Sequence, residues 1–170
     1  QQLVSPANVI LRFDYKQLAD GVTVNAGTEY RLAADWLIDY SRYSSLDWQG
    51  GEPQPDELDY AVLRLEGQPG NDPIGGVKNA SPNAPERGWI KPPAVAPPPQ
   101  PNAPLFILQH PEGAPLKLAL DTNAVIEERY AGRRLRYRTN TERGSSGSPC
   151  FDDNWNLVAL HHLGDPAFKP

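Results

Sequence analysis

A chain of 170 residues, 39% hydrophobic and 9% aromatic, is long enough for a packed core and fits one domain or two small halves sharing an interface. Charged residues at 22% exclude wholesale disorder, and 19 prolines with 14 glycines argue for short strands and turns over long helices. A net charge of −5 offers nucleic acid no electrostatic footprint, and no apolar run is long enough to span a membrane, so neither is an expected partner.

In chain order, residues 8–14 place Val9, Leu11 and Phe13 on one face, which predicts a strand. Thr28 to Ala33 predicts another, with Tyr30 and Leu32 on one side. Trp36 to Trp48 shows no clean period, and Gln49 to Asp56 reads as a loop by composition. Leu58 to Leu65 is the strongest strand of the first half. The proline-rich tract at 92–104 cannot pair in a sheet and is expected to run extended between two folded halves. Strands follow again at 105–109, 116–120, 134–139 and 157–162, with a turn at Asp152 to Asn154. Arg134, Arg136 and Arg138 alternate with Leu135 and Tyr137, which assigns the arginines to a wet face. The expectation is an all-β chain in three parts: 1–90, a linker at 91–104, and 105–170.

Two counts bear on setting. Cys150 is the single cysteine, so an intrachain disulfide is impossible; this favours a reducing, cytoplasmic compartment and a thiol acting as a small buried hydrophobe. There is no methionine, so Gln1 is expected to begin a processed or trimmed chain with a segment removed upstream.

The run Gly144-Ser145-Ser146-Gly147-Ser148-Pro149 carries the chemistry. A nucleophilic serine needs an exposed tight turn and backbone N–H groups aimed at the developing oxyanion. Gly144 can take backbone angles closed to other residues, Gly147 removes bulk beside the attacked carbonyl, and Pro149 stiffens the exit. In Leu58-Asp59-Tyr60-Ala61-Val62-Leu63-Arg64-Leu65, alternation places Asp59 on the face of Ala61, Leu63 and Leu65. A carboxylate there needs a strong partner, unless the strand begins after it.

The serine run resembles the signature of the chymotrypsin-fold (trypsin-like) serine peptidases, and the Asp59 strand resembles the family's triad-aspartate motif. The resemblance covers roughly Leu58 to Gly164. It implies a double six-stranded antiparallel β-barrel whose first barrel is incomplete here, and the family's usual C-terminal helix is not evident after Asp165. It also implies an acyl-enzyme on Ser146, an oxyanion hole from the Gly144 and Ser146 N–H groups, and Asp59 orienting a histidine. In this family the histidine precedes the aspartate, and residues 1–58 contain none. The base is therefore expected upstream of Gln1, on an N-terminal fragment that completes the first barrel. His110 resembles a structural His-Pro turn.

By the same resemblance, Leu157 to Gly164 forms one wall of the primary pocket and Thr141 the other, with Asn140 where trypsins carry an aspartate. Paired His161 and Thr141 resemble the pocket of glutamyl endopeptidases, which implies preference for an acidic residue before the cut. Metal binding by His161, His162 and Cys150 is not expected, because adjacent strand histidines diverge and the spacing fits no zinc signature. No cofactor is implied and the expected partner is a polypeptide substrate. The rival class is a catalytically inactive peptide-binding or regulatory domain on the same fold.

Overall fold

The computed structural model describes residues 5–75, 80–94 and 99–164. Part of the proline tract, 95–98, and everything after Gly164 lie outside the described residues. Among the described residues the chain is all-β, with short 3-10 turns and no α-helix. They fall into two compact units, one drawn from Gln1–Tyr40 and Ala61–Trp89, the other from Ser41–Tyr60 and Ile90–Pro170.

In the first unit, β1 (Ile10–Phe13) pairs antiparallel with β4 (Thr28–Ser41), and β4 also borders β5 (Tyr60–Leu65). Strands β2 (Lys16–Gln17) and β3 (Val24–Asn25) form a small hairpin. Strand β4 runs through the stretch from Trp36 where no period was legible. Most of its residues beyond Ala34 are exposed, so no two-residue alternation marks it. A polar knot ties the unit together. Arg87 pairs with Asp14 at 2.6 Å, with both side chains nearly buried, and lies over the Phe13 ring. Phe13 meets Tyr30 edge to face at 5.3 Å, and the Tyr30 hydroxyl donates to Asp72.

The second unit holds the packed core. Its sheet has the order β11 (Leu157–Leu160), β10 (Pro149–Phe151), β6 (Leu105–Gln109), β7 (Lys117–Asp121). Strand β6 buries every second residue, so Leu105 and Ile107 join Ala124 and Cys150 in the core. Cys150 is fully buried, as a small hydrophobe would be. A hairpin of β8 (Val125–Arg129) and β9 (Arg134–Tyr137) lies beside this core, which receives Leu135 and Tyr137. No sheet closes into a barrel among the described residues.

The segment Ser41–Tyr60 is held by that hairpin. Arg134 forks onto Asp47 with two 2.8 Å bonds and donates a third to the Glu57 carbonyl. Arg133 donates to the Pro53 carbonyl at 2.7 Å, and the Tyr130 hydroxyl donates to Gly50. Arg134 is therefore not on the wet face that alternation assigned to it; its side chain is 10% exposed, against 44% for Arg136. Burial disfavours the charged form of Asp47. The hydrogen bonds and charge of Arg134 outweigh this and hold the carboxyl below its ordinary 3.8.

Removing one partner of such a pair leaves an uncompensated buried charge, so Arg134→Leu should cost about 3 kcal/mol in urea unfolding. The double variant with Asp47→Leu should recover much of that loss; a single variant as stable as the parent would contradict the clamp. Because the folded carboxyl is more acidic than the unfolded one, its contribution is present above the ordinary aspartate value and fades as pH falls through the folded one. Acid unfolding of Arg134→Leu should lack that component.

Candidate active site

Two adjacent serines take opposite directions in the turn before β10. Ser145 is buried and its hydroxyl donates to Gln109 Oε1 at 2.6 Å. Gln109 Nε2 donates in turn to the Asn140 carbonyl at 3.2 Å. Ser146, by contrast, is exposed, and its Oγ is 3.4 Å from the His162 carbonyl. Gln109 thus holds Ser145 inward, while the following Ser146 faces outward.

The backbone of the turn is selective about its donors. Ser145, Gly147 and Ser148 donate to the carbonyls of Glu142, His161 and Ser145. Among the described residues, the N–H groups of Gly144 and Ser146 donate to no backbone carbonyl. The Arg143 carbonyl accepts from the Glu112 N–H at 2.7 Å. A trans peptide sets C=O and N–H on opposite sides, so this bond turns the Gly144 N–H away from Glu112. Gly144 sits at φ +92°, and a Cβ there would lie 3.2 Å from Glu112 N. Glu112 belongs to the Pro111–Gly113 turn that follows His110, whose ring faces the Ala114 carbonyl at 2.9 Å. The His-Pro turn thus buttresses the serine turn from behind.

Asp59 takes the alternative in which the strand begins after it. Strand β5 begins at Tyr60, and Asp59 itself has φ +57°, so the alternation does not reach it. Its side chain is 41% exposed and lies off the apolar face. Its N–H donates to the Arg42 carbonyl, and its carboxylate meets His162 Nδ1 at 3.2 Å. Serine and aspartate are both held within the second unit. Among the described residues, Ser146 Oγ is bonded to a carbonyl and to no imidazole.

A cleft of about 960 Å³ gathers Asp59, Asn140, Thr141, His161, His162 and Gly164; Ser146 and Gly144 are not in its lining. The histidines diverge past the end of β11. His161 is nearly buried, with Nδ1 at 2.5 Å from the Tyr137 hydroxyl. Burial, with the neighbouring His162, pushes its imidazole below the ordinary value. Burial also raises the Cys150 thiol, to about 11, and raises the Tyr137 phenol. Both groups are protonated near neutral pH. Among the described residues no cluster of three or more His, Cys, Asp or Glu could hold a metal, and no helix is long and apolar enough to cross a membrane.

A model of the trypsin-like peptidase domain matches residues 2–160. The chain belongs to the trypsin-like peptidase domain family. Over 65 residues this peptidase domain is also 34% identical to the uncharacterised protein y4fB of Sinorhizobium fredii. That match takes in 35% of the chain and 10% of the relative, so the chain spans about a tenth of the curated protein it matches. Membership gives the Ser146 turn and Asp59 a common context in the trypsin-like peptidase domain.

Gln109 and Tyr137 escaped the sequence reading. Gln109 had a legible signal, since it continues the buried row of Leu105 and Ile107 with a polar side chain. Tyr137 had none, because its hydroxyl partner is fixed only by the packing of β9 against the end of β11.

Gly144→Ala places a Cβ in the left-handed region against backbone, which should cost about 1–2 kcal/mol. Gln109→Leu leaves the buried Ser145 hydroxyl without its acceptor, at a cost of about 1–3 kcal/mol. Both are read as lowered urea midpoints. Unchanged midpoints in both would show that the turn does not depend on these supports.

Proposed function

We propose that the chain is the nucleophile-bearing part of a serine endopeptidase of double six-stranded barrel fold, hydrolysing peptide bonds through an acyl-enzyme on Ser146. The observation that carries this is the serine turn itself. Ser146 is presented outward while, among the described residues, the Gly144 and Ser146 N–H groups carry no backbone acceptor, as an oxyanion site requires. Ser146 Oγ attacks the peptide carbonyl, and a histidine takes its proton and returns it to the leaving amine. Water then hydrolyses the ester by the same route, with Asp59 orienting the histidine.

That base comes from outside residues 1–170, on an upstream segment of the same polypeptide that completes the first barrel. Support comes from the exposure of Ile38, Tyr40 and Val62 on β4 and β5, apolar strand residues that need a cover. Asn140, Thr141, His161 and Gly164 form the pocket for the side chain before the cut, and an acidic side chain suits a histidine beside a hydroxyl. The chemistry needs no metal or organic cofactor, and the buried thiol suits a reducing, cytoplasmic compartment.

One observation favours the second reading, an inactive peptide-binding module. The carboxylate that should orient the base is engaged by His162, and Ser146 is bonded to no imidazole among the described residues. Labelling with a fluorophosphonate separates the two, because only a serine activated by a base reacts. Full-length protein should label, Ser146→Ala should not, and Asp59→Asn should lower kcat by about 10⁴-fold. Residues 1–170 alone should label poorly. Failure of the full-length protein to label would favour the binding module.

A further inference from the structure

Strand β7 ends its sheet. It pairs with β6 on one side, and among the described residues no strand and no backbone hydrogen bond engages its other side. An open edge is a template for another strand, and monomeric proteins blunt such edges with charge, a bulge or proline. β7 contains no proline and keeps an unbroken register with β6 from Lys117 to Asp121. Its one cation is Lys117, and whether that cation blocks pairing depends on what faces it. Side chains alternate along the strand. Ala119 packs against the core, so Leu118 and Leu120 stand on the opposite face, where they are 50% and 55% exposed. No residue of β7 lines the cleft, so the peptide chemistry does not account for this exposed pair.

The order Lys117-Leu118-Ala119-Leu120-Asp121 complements its own reverse. Antiparallel pairing of two copies centred on Ala119 sets Lys117 of each against Asp121 of the other, and Leu118 of each against Leu120 of the other. Opposite residues of an antiparallel pair share a face at contact distance, so both kinds of pair meet. A slip of one residue sets a leucine against a charged residue, and a slip of two sets Lys117 against Ala119 or Asn123. One register therefore satisfies the charges and the leucines together. Among the described residues neither Lys117 nor Asp121 is in an ion pair. Asp121 Oδ1 accepts from the Asn123 N–H at 2.8 Å, and Oδ2 remains for a cation.

We propose that the chain forms a dimer by antiparallel pairing of β7 with β7 of a second copy, about a two-fold axis through Ala119. The pairing joins the two sheets into one and turns Lys117 from a guard of the edge into a contact across it. A strand of other sequence would have to carry a matching acid and base at the same spacing; a second copy supplies them by symmetry. A seam of five residues is small beside the roughly 1,600 Å² of a standard stable interface, so the dimer forms and dissociates with concentration. The inference is independent of the peptidase reading.

Sedimentation velocity of full-length protein should show monomer passing to dimer between about 1 and about 500 µM. Lys117→Asp sets like charges against each other at both ends of the seam and should raise the dissociation constant about tenfold or more, as should Asp121→Lys. An equimolar mixture of these two variants should regain association, because each lysine of the mixed dimer again faces an aspartate. Thermal melting establishes that each variant is folded. Leu120→Lys, on the exposed face, stands in for Asp121→Lys as a second weakening variant if the latter does not fold. Hydrogen exchange at the β7 amides should slow as protein concentration rises. A protein monomeric throughout, with β7 amides that exchange freely, overturns the proposal. Slow exchange in a monomer shows the edge covered by another segment of the polypeptide and overturns it as well. A dimer unchanged in both charge variants is built on another surface and does the same. If each variant is monomeric alone and their mixture stays so, the register centred on Ala119 is wrong.

Discussion

The fork of Arg134 onto Asp47 is the contact on which the placement of Asp59 depends. Segment Ser41–Tyr60 is rich in turns and contributes few apolar side chains to the core, so burial alone would not hold it. One guanidinium supplies three directed bonds to it, two to a carboxylate and one to a carbonyl. Arg133 and Tyr130 add bonds to Pro53 and Gly50 from the same hairpin. Arginine suits this role because its five donors lie in a rigid plane, so several acceptors can be held with little further loss of freedom. With the segment fixed, Asp59 arrives at the end of β11 beside His162.

The serine turn uses a different economy. Its shape is specified from behind, by Gln109 on β6 and by the His-Pro turn, through bonds that face away from solvent. Those contacts satisfy the inward groups and leave the outward ones unspent. A reactive site needs this asymmetry, since an N–H already bonded within the fold cannot stabilise a charge that forms later. Gly144 is the point at which the two requirements meet. Its positive φ allows the Arg143 carbonyl to be held by Glu112 while its own N–H faces the other way.

Sequence made some of this plain and hid the rest for physical reasons. The all-β character, the buried Cys150, the strand at 105–109 and the serine turn follow from period, turn residues and a glycine-serine motif, all of which are local. Asp59 was singled out by its neighbours in the chain, and of the two settings the pattern allowed, the structure takes the one in which the strand begins after it. Alternation describes only residues within a strand, and a positive φ at Asp59 ends the pattern one residue early. The second half of β4 was hidden because most of its residues are exposed and no face is marked. Arg134 was misassigned because a period-two pattern cannot distinguish solvent from a carboxylate brought in by a distant segment.

The histidine pair at the end of β11 shows how far two adjacent identical residues can diverge. His161 turns inward to a phenol and a thiol, where desolvation favours the neutral ring. His162 turns to the half-exposed carboxylate of Asp59. The strand end thus carries one imidazole buried against a phenol and, one residue on, another held by Asp59. Any catalytic histidine oriented by Asp59 must compete with His162 for that carboxylate. Because the existing contact is partly exposed and 3.2 Å long, its net strength falls in the range of about 0–1 kcal/mol expected of surface pairs. A base delivered on a packed strand would readily displace it, so the pairing of Asp59 with His162 is compatible with an active site completed from elsewhere in the polypeptide.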